Sequence, residues 1–280
     1  MNLDVLKRRA GIVSALRAFF DSRGFLEVET PVRIAAPAPE PHIDCPEVKT
    51  GSFLRASPEL QMKKLLAAGL DRIYQIGPCF RDGEKGSRHN PEFTMIEWYR
   101  KNATYMHIKD DIEALLKALA PFGRDLAGNI STLAVRDAYL RFAGWDPFAG
   151  QWDQDRFDLD MALKVEPALK GMDGVFLCDY PPQCASLALV SGGAAQRWEF
   201  YWRGLELANC FTELCDAPEQ RRRFMAAKAE RSALGEADYP LDEEFLSSVG
   251  EIGSAAGVAL GVDRLAMAIL DIDDIAQVRC

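Results

Sequence analysis

Residues 74–100 read YQIGPCFRDGEKGSRHNPEFTMIEWYR, which is two apolar, strand-like runs on either side of a loop crowded with charge and glycine. The runs predict a β-hairpin, but the loop is too long for a tight turn, and long structured loops in compact domains tend to be functional. A solvated hairpin tip is the alternative. Because side chains alternate along a strand, one face of the second run carries Phe93, Met95, Glu97 and Tyr99. The carboxylate of Glu97 and the phenol of Tyr99 suit an ammonium ligand.

The composition is that of a globular chain with a sizeable core. Its 280 residues are 48% hydrophobic. Seven cysteines without a CxxC pair and three scattered histidines indicate neither a zinc site nor a disulfide framework. No apolar run reaches the roughly eighteen residues of a membrane span, and the N-terminus is too charged for a signal peptide, so we expect a cytoplasmic protein without a membrane partner. The net charge of −9 argues against a general nucleic-acid binder.

Helix and strand signals along the chain predict an α+β fold. Helix signals lie at residues 4–23, 57–70, 107–119 and 218–235, and a turn at Gly204 separates two strand-like arms. Strands predominate between the flanking helices without a regular βαβ alternation, which favours a mostly antiparallel sheet flanked by helices. The segment between about residues 121 and 174 is harder to read, with helical fragments around 133–142 and 161–169. No repeat or low-complexity linker divides the chain, so we expect residues 1–280 to form a single domain.

Glutamates recur at seven-residue spacing in EFYWRGLELANCFTE, a segment otherwise rich in aromatic residues and leucine. They are Glu199, Glu206 and Glu213, with Asn209 among them. Carboxylates are costly to bury unless they meet a cation. Outward-facing glutamates on an amphipathic strand are the alternative, but a magnesium ion or a basic ligand accounts for the cluster better.

The stretch GVALGVDRL, which begins at Gly257, predicts a glycine-rich strand that leads into a helix. Small residues at Gly257, Ala259 and Gly261 would let a ligand approach the sheet closely, although such strands more often serve packing. Arg264 at the start of the helix can reach a phosphate. With Arg81 from the charged loop and a carboxylate–metal site, it would complete an ATP pocket, because two arginines and a magnesium ion can neutralise a triphosphate.

Three segments in order, FLEVETP, FRDGEKGSRHNPEFTMIEWYR and GVALGVDRL, resemble motifs 1, 2 and 3 of the class II aminoacyl-tRNA synthetases, and most closely the lysyl-tRNA synthetase branch. The resemblance also includes GLELANCFTELCD and covers the chain from about residue 5 to about residue 270. It implies the class II catalytic core, ATP as a substrate, Mg²⁺ as a cofactor and a homodimer built on motif 1. Pro31 ends the apolar run of motif 1, as suits a subunit boundary.

The resemblance assigns roles within the ATP site. Arg81 would bridge the amino acid carboxylate and the α-phosphate, and Arg264 would stack near adenine and contact the γ-phosphate, so both would be catalytic. Phe93 would stack on adenine, while Glu199 and Glu206 would hold magnesium. The residues implied to bind ATP are Arg81, Asp82, Gly83, Glu84, His89, Asn90, Phe93, Glu206, Leu207, Gly261 and Arg264.

Two departures from the lysyl-tRNA synthetases narrow the resemblance. Those enzymes carry a large N-terminal anticodon-binding barrel, whereas motif 1 here begins at about residue 25, so we expect a bare catalytic domain without an anticodon-binding domain and without a tRNA partner. They also have glycine at the third position of the motif 3 strand, where this chain has Ala259. Its methyl group would project beside the α-amino group of a bound lysine and favour a displaced amine.

Both departures match one group in this branch, the elongation factor P–(R)-β-lysine ligases, which SPELQMKKLLAAG and YPPQCASLA also resemble. The likeness implies that (R)-β-lysine is activated as its adenylate and transferred to the ε-amine of a lysine on elongation factor P. The residues implied to bind β-lysine are Ser57, Pro58, Glu59, Tyr99, Asn209, Glu213 and Ala259.

Two alternatives stay open. A truncated lysyl-tRNA synthetase paralogue would activate α-lysine, although Ala259 and the absent barrel count against it. A non-catalytic, synthetase-like regulator should have lost an arginine or a metal carboxylate, yet Arg81, Glu199, Glu206 and Arg264 are all present. Where relatives commonly read Arg-Asn-Glu at the start of the motif 2 loop, this chain reads Arg-Asp-Gly and has Glu84 one place later.

Overall fold

A computed structural model describes residues 2–48 and 51–279, and most of its strands join one large sheet. The strands are β1 (Leu26–Glu27), β2 (Arg33–Ile34), β3 (Glu47–Val48), β4 (Ser52–Leu54), β5 (Arg72–Phe80), β6 (Glu92–Lys101), β7 (Ile130–Ala134), β8 (Gly174–Tyr180), β9 (Val190–Ser191), β10 (Ala194–Trp202), β11 (Leu205–Thr212) and β12 (Ala255–Gly261). The large sheet has the order β1-β5-β6-β12-β11-β10-β8-β7, with β9 paired to β10, and β2-β4-β3 form a small second sheet. Among the described strands of the large sheet, the edge pairs β1–β5 and β7–β8 are parallel and the rest are antiparallel. The predicted α+β class is confirmed.

Helices cover both faces of the large sheet. They are α1 (Leu3–Ser22), α2 (Glu59–Ala67), α3 (Tyr105–Leu119), α4 (Val135–Ala138), α5 (Gln154–Asp160), α6 (Glu166–Leu169), α7 (Ala217–Leu234), α8 (Glu243–Ser248) and α9 (Val262–Leu270). On one face α1, α3 and α9 bury an apolar core in which the Phe20 ring lies 4.9 Å from the Trp98 ring. Buried Trp198 donates its indole N–H to the carbonyl of Tyr105 at 2.7 Å, so this large polar-tipped ring is satisfied.

The side chains of β12 show why one sheet carries both a core and a site. Ala256, Val258 and Leu260 point into the core beneath α1, α3 and α9. The alternating residues Gly257 and Ala259 therefore face the other way, towards a cavity. One face of the sheet thus packs into the core, and the other borders a cavity.

Most of the predicted elements are present, with shifts at their ends. The first helix runs from Leu3 to Ser22, and Gly24 follows it with a φ of 73°, which glycine adopts without strain. Motif 1 forms a strand of only two residues at the sheet edge. The helix predicted to include Pro58 begins one residue later, because Pro58 keeps a ψ of 2° as its N-cap.

The middle segment departs most from prediction. The helical fragment expected around residues 133–142 begins as strand β7, and only from residue 135 onwards is the chain helical, as α4 and then a wider π-helical turn. Helix α5 was not predicted. None of the helices among the described residues has the length and apolar character needed to cross a membrane.

Candidate active site

A cavity of about 430 Å³ opens on the sheet face opposite α1, α3 and α9. It brings together residues from motifs 2 and 3, from the start of α2 and from the glutamate-rich segment, which are far apart in the sequence. Those in its wall are Ser57, Glu59, Arg81, Glu84, His89, Asn90, Phe93, Tyr99, Glu199, Glu206, Leu207, Asn209, Glu213, Ala259, Gly261 and Arg264. Of the residues predicted to bind ligands, Pro58, Asp82 and Gly83 do not line the cavity. Pro58 is buried as the cap of α2, while Asp82 and Gly83 are exposed on the motif 2 loop.

Strand register explains the convergence. Glu97 on β6 pairs with Ala259 on β12, which pairs with Asn209 on β11, which pairs with Glu199 on β10. Directly paired residues of an antiparallel sheet share a face, so these four side chains form one row across the floor of the cavity. A bulge between Phe200 and Tyr201 then shifts the register.

At one end of the cavity, its acidic end, the buried Lys63 forms ion pairs with two glutamates of the wall. Lys63 Nζ lies 2.5 Å from Glu59 Oε1 and 2.5 Å from Glu213 Oε2, and the Lys63 side chain is 1% exposed. Burial alone would lower the pKa of Lys63, but the Glu213 and Glu59 carboxylates raise it above its ordinary value, so Lys63 is a cation. Burial raises the pKa of Glu213, against the opposing effect of Lys63. Glu213 Oε1 has no hydrogen-bond donor among the described residues, which leaves a buried acceptor for a ligand.

Glu97 is a second buried carboxylate beside this ion pair. Ser57 donates from Oγ to Glu97 Oε1 at 2.5 Å, and Tyr99 donates from its hydroxyl to Oε2 at 3.0 Å. Burial and the nearby Glu59 carboxylate raise the pKa of Glu97 to about 7. The acidic end therefore holds more carboxylates than cations, and a ligand with ammonium groups would balance them.

Gly257 has a packing role in addition to the one predicted. A Cβ at this position would lie 2.1 Å from Tyr99 Cδ1 and 2.9 Å from Glu213 Oε1. The absent side chain makes room for the Tyr99 ring, and Gly257 itself lines the cavity, as predicted. Ala259 and Gly261 also line the open cavity, as predicted.

Two arginines define the opposite, basic end. The Arg81 guanidinium lies 5.3 Å from the centre of the Phe93 ring, and its Nη1 donates to Glu84 Oε1 at 3.3 Å. Glu84, the residue displaced by one place in the motif 2 loop, thus reaches Arg81. Arg81 Nε is buried without an acceptor among the described residues, so its N–H group is available to a ligand.

Arg264 is held from several sides. Its Nη2 donates to His89 Nε2 at 2.6 Å, and its Nη1 donates to the carbonyl of Glu206 at 3.0 Å. Burial and the Arg264 charge lower the pKa of His89, in keeping with a neutral ring that accepts from the guanidinium. The preceding Asp263 accepts from Arg9 at 2.7 Å and from the backbone N–H of Thr94 at 2.8 Å, which fixes the start of α9 against β6.

Glu199 and Glu206 differ in how free they are to bind a metal. Glu199 Oε2 accepts from the hydroxyls of Tyr180 at 2.7 Å and Tyr201 at 2.6 Å, and Oε1 accepts from Arg197 at 2.5 Å. The Glu206 side chain is 40% exposed, and Arg264, at 3.4 Å, is the one partner of its carboxylate among the residues that the structure describes. Desolvation in the cleft and the Glu199 charge raise the pKa of Glu206, as expected of two facing carboxylates. Among residues 2–48 and 51–279, no cluster of three or more His, Cys, Asp or Glu side chains could hold a metal ion.

Sequence reasoning assigned no role to several charged residues at the site, among them Lys63, Arg197 and Glu40. Lys63 had a signal in the sequence, because it stands four residues after Glu59 on one helix. Arg197 bonds Asn209 Oδ1, Glu199 and the carbonyl of Cys184, but these contacts depend on the sheet register and have no local signature.

Comparison with known families agrees with this geometry. The model of a family described as tRNA synthetases class II (D, K and N) matches residues 2–280. The mostly antiparallel sheet, with a cavity that is acidic at one end and carries two arginines at the other, is the catalytic core of a class II synthetase.

Curated relatives narrow the class. Three of them, from Proteus mirabilis, Edwardsiella ictaluri and Vibrio cholerae, are 38%, 36% and 34% identical to this chain, and each is named elongation factor P–(R)-beta-lysine ligase. The first two alignments cover 98% of this chain and 93% of the relative, and the third covers 99% and 94%. The chain therefore belongs to the family of the elongation factor P–(R)-beta-lysine ligases, within the class II tRNA synthetases. The alignment with the Proteus protein spans 308 positions against 280 residues in this chain, so that relative has insertions.

Proposed function

We propose that this protein is an ATP-dependent ligase that activates (R)-β-lysine as its adenylate and transfers it to the ε-amine of a lysine on elongation factor P. One observation carries the proposal. A single cavity has two arginines at one end and buried carboxylates at the other, with the methyl group of Ala259 between Glu97 and Asn209. The names of the curated relatives agree with it.

The basic end suits the first step. In that step a carboxylate oxygen of β-lysine attacks the α-phosphorus of ATP, the bond to the β-phosphate breaks, and pyrophosphate leaves. Arg81 and Arg264 would neutralise the reacting phosphates, and Phe93 would stack on adenine, with the remaining predicted ATP contacts around them. Catalysis would come from positioning and charge neutralisation, since the cavity needs no covalent intermediate with the protein.

The acidic end suits a substrate with two ammonium groups. Glu213 offers an unpaired buried oxygen, and Glu97 is held by Ser57 and Tyr99. We propose that Glu213 and Tyr99 bind the terminal ammonium group of β-lysine, and that Ser57, Glu59 and Asn209 complete the pocket. In the second step, the lysine amine of elongation factor P would attack the adenylate carbonyl, AMP would leave, and an amide would form with loss of a proton to solvent.

Magnesium would fit beside the phosphates. Mg²⁺ prefers oxygen ligands and usually combines one or two carboxylates with substrate phosphates, and Glu199 and Glu206 are such a pair. Glu206 is the freer donor. Glu199 already accepts three hydrogen bonds, from Tyr180, Tyr201 and Arg197, which leaves it less free than Glu206 to share in the site. The ion would neutralise phosphate charge when bound.

The assembly of the protein is a proposal of the same kind. Motif 1 lies at the sheet edge, and Leu26 within it is 52% exposed, which supports a homodimer through this edge. We further propose a single catalytic domain that acts in the cytoplasm without binding tRNA. Light scattering would test the dimer, and a mass equal to one chain would contradict it.

The transfer can be tested by mass spectrometry of elongation factor P after incubation with the protein, ATP and (R)-β-lysine. The proposal predicts the addition of one lysyl group, and none when ATP is omitted. If elongation factor P stays unmodified while lysine tRNA becomes charged with α-lysine, the protein is instead a synthetase paralogue. If neither acceptor changes and no amino acid is activated, a regulator is the better account.

A further inference from the structure

Glu40 is a carboxylate in the cavity wall that no motif predicted. It lies in APAPEPH, a stretch that the sequence describes only as an irregular loop because of its three prolines. Ile43, three residues further on, also lines the cavity. This loop, residues 36–46, therefore covers one side of the site.

A buried arginine anchors the loop. Arg231, at the end of α7, is 1% exposed, and its Nη1 donates to the carbonyls of Glu40 at 2.9 Å and Ile43 at 3.1 Å. Its Nη2 donates to Asp44 Oδ1 at 2.7 Å. On the other side, the carbonyl of Asp44 accepts from the backbone N–H of Asp82 at 2.8 Å, which ties the loop to motif 2. The backbone at Glu40 is thus held in place and is not free to swing away.

The carboxylate of Glu40 is fixed as well. Ser186 donates from Oγ to Glu40 Oε2 at 2.9 Å. Ser186 has a φ of 47°, a left-handed conformation that serine seldom adopts, and Arg223 holds its carbonyl at 2.8 Å. Backbone strain of this kind persists only where surrounding contacts impose it, and it collects at ligand sites. Here it aims a hydroxyl at one oxygen of Glu40.

The hydrogen bond between Asp44 and Asp82 brings the loop of Glu40 to the residue next to Arg81, so Glu40 lines the cavity on the Arg81 side. Burial and the Glu59 carboxylate raise the pKa of Glu40, whereas Arg81 and Arg197 lower it. Glu40 thus adds a carboxylate to the acidic end, on the side that faces Arg81. Glu40, Glu59, Glu97 and Glu213 all line the cavity, and Lys63 pairs with two of them, Glu59 and Glu213.

We propose that Glu40 binds the ammonium group that lies nearer to the carboxylate of the amino acid, which is the β-ammonium group of (R)-β-lysine. This inference rests on the proposed function. The β-amine is two carbons from the carboxylate, so a carboxylate bound by Arg81 brings that amine to the Arg81 side of the pocket. The terminal amine is several carbons further away and reaches Glu213. Glu40 is therefore a specificity residue for the diamine character of the substrate.

The test compares β-lysine with ε-aminocaproic acid, which has the terminal amine but lacks the one near the carboxylate. Glu40→Gln keeps the size of the side chain and an acceptor for Ser186 but removes the charge. In ATP–pyrophosphate exchange, the variant should raise the Michaelis constant for β-lysine by about 10- to 100-fold, the value of a hydrogen bond to a charged group. The constant for ATP and the inhibition constant of ε-aminocaproic acid should not change. Glu47→Gln, an exposed glutamate of β3, is the matched control.

The outcomes separate the two proposals. If Glu40→Gln weakens the binding of β-lysine and of ε-aminocaproic acid equally, Glu40 only shapes the pocket. If the binding of neither compound changes, Glu40 has no part in substrate recognition. If the native protein catalyses no exchange, the proposed function fails. In that case calorimetric titration tests Glu40 alone: the affinities of native protein and of the Glu40→Gln variant are measured for β-lysine and for ε-aminocaproic acid. Ser186→Ala should weaken the binding of β-lysine but not that of ε-aminocaproic acid. The effect should be smaller than in Glu40→Gln, because the variant releases the Glu40 carboxylate without removing it.

Discussion

Lys63 Nζ lies 2.5 Å from Glu213 Oε2 beneath the cavity, and both side chains are 1% exposed. Since Lys63 also pairs with Glu59, this one cation holds two carboxylates of the proposed substrate pocket in fixed positions. It contacts the substrate only through them, so it is a positioning residue.

Replacement of Lys63 by methionine should cost both stability and amino acid binding. Removal of one partner from a buried ion pair leaves the other uncompensated and typically destabilises a protein by about 3–5 kcal/mol. Urea denaturation should show a loss of that order. Lys64→Met is the matched control on the same helix, because Lys64 pairs with Asp242 and the exposed Glu244 nearer the surface. Because the Lys64 side chain is 18% exposed against 1% for Lys63, that control should cost clearly less than Lys63→Met. Equal losses in the two variants would contradict this role for Lys63.

Gly257→Ala should weaken amino acid binding without weakening ATP binding. The new Cβ would stand 2.1 Å from the Tyr99 ring, a separation that forces the ring to move. We expect the Michaelis constant for the amino acid to rise by about tenfold or more while the constant for ATP is kept. At Gly261 on the same strand, the nearest atoms to an added Cβ are 3.8 Å away, so Gly261→Ala should fold with an unchanged melting temperature. Unaltered amino acid kinetics in Gly257→Ala would refute the packing argument.

Amino acid binding should strengthen as the pH rises through neutrality. The pKa of Glu97 is about 7 in the folded protein against an ordinary value of 4.5, so the protonated form stabilises the empty protein below pH 4.5, and this stabilisation is lost as the pH rises through about 7. An ammonium ligand needs the ionised form. The Michaelis constant for β-lysine should therefore fall between about pH 6 and about pH 8.

Two variants separate Glu97 from other groups in this pH dependence. Glu97→Gln should flatten the dependence, since it removes the titrating group. Glu92→Gln, at the exposed start of the same strand, should keep it. A native enzyme whose Michaelis constant for β-lysine is independent of pH would rule out Glu97 as the cause.

Arg264→Lys should weaken the binding of ATP but not that of the amino acid. Lysine keeps the charge but loses the planar fork that contacts His89 and Glu206 together. We expect the Michaelis constant for ATP to rise by about tenfold or more, with little change for the amino acid. Arg279→Lys, which alters a surface pair with Glu92, is the control and should leave both constants as they are.

The sequence predicted the large antiparallel sheet and most of the cavity wall because both depend on local patterns. Alternation along β6 brings Glu97 and Tyr99 to one face, and the turn at Gly204, which has a φ of 72°, joins the two arms that carry Glu199 and Asn209. Resemblance to ordered motifs supplied the rest of the candidate residues.

What the sequence did not predict depends on contacts between distant segments. Glu40 reaches the cavity because distant segments hold its loop, among them Arg231, 191 positions away. Gly257 lines the cavity as expected, but Tyr99 of the neighbouring strand fills the space that its missing side chain leaves, and spacing along one strand gives no information on the strand beside it. Pro58, Asp82 and Gly83 were expected at the ligand by likeness of sequence, yet each points elsewhere or lies outside the cavity wall.

The most direct test of the central claim is ATP–pyrophosphate exchange with (R)-β-lysine, with L-α-lysine and without an amino acid, in native protein, Ala259→Gly and Ala256→Gly. Ala259 faces the cavity and Ala256 faces the core of the same strand, so the two variants make the same change on opposite faces. Native protein and Ala256→Gly should catalyse exchange better with β-lysine than with α-lysine. In Ala259→Gly the ratio of the two exchange activities should change in favour of α-lysine by about tenfold or more. Native exchange that favours α-lysine, or an Ala259→Gly variant with unchanged preference, would contradict the central claim.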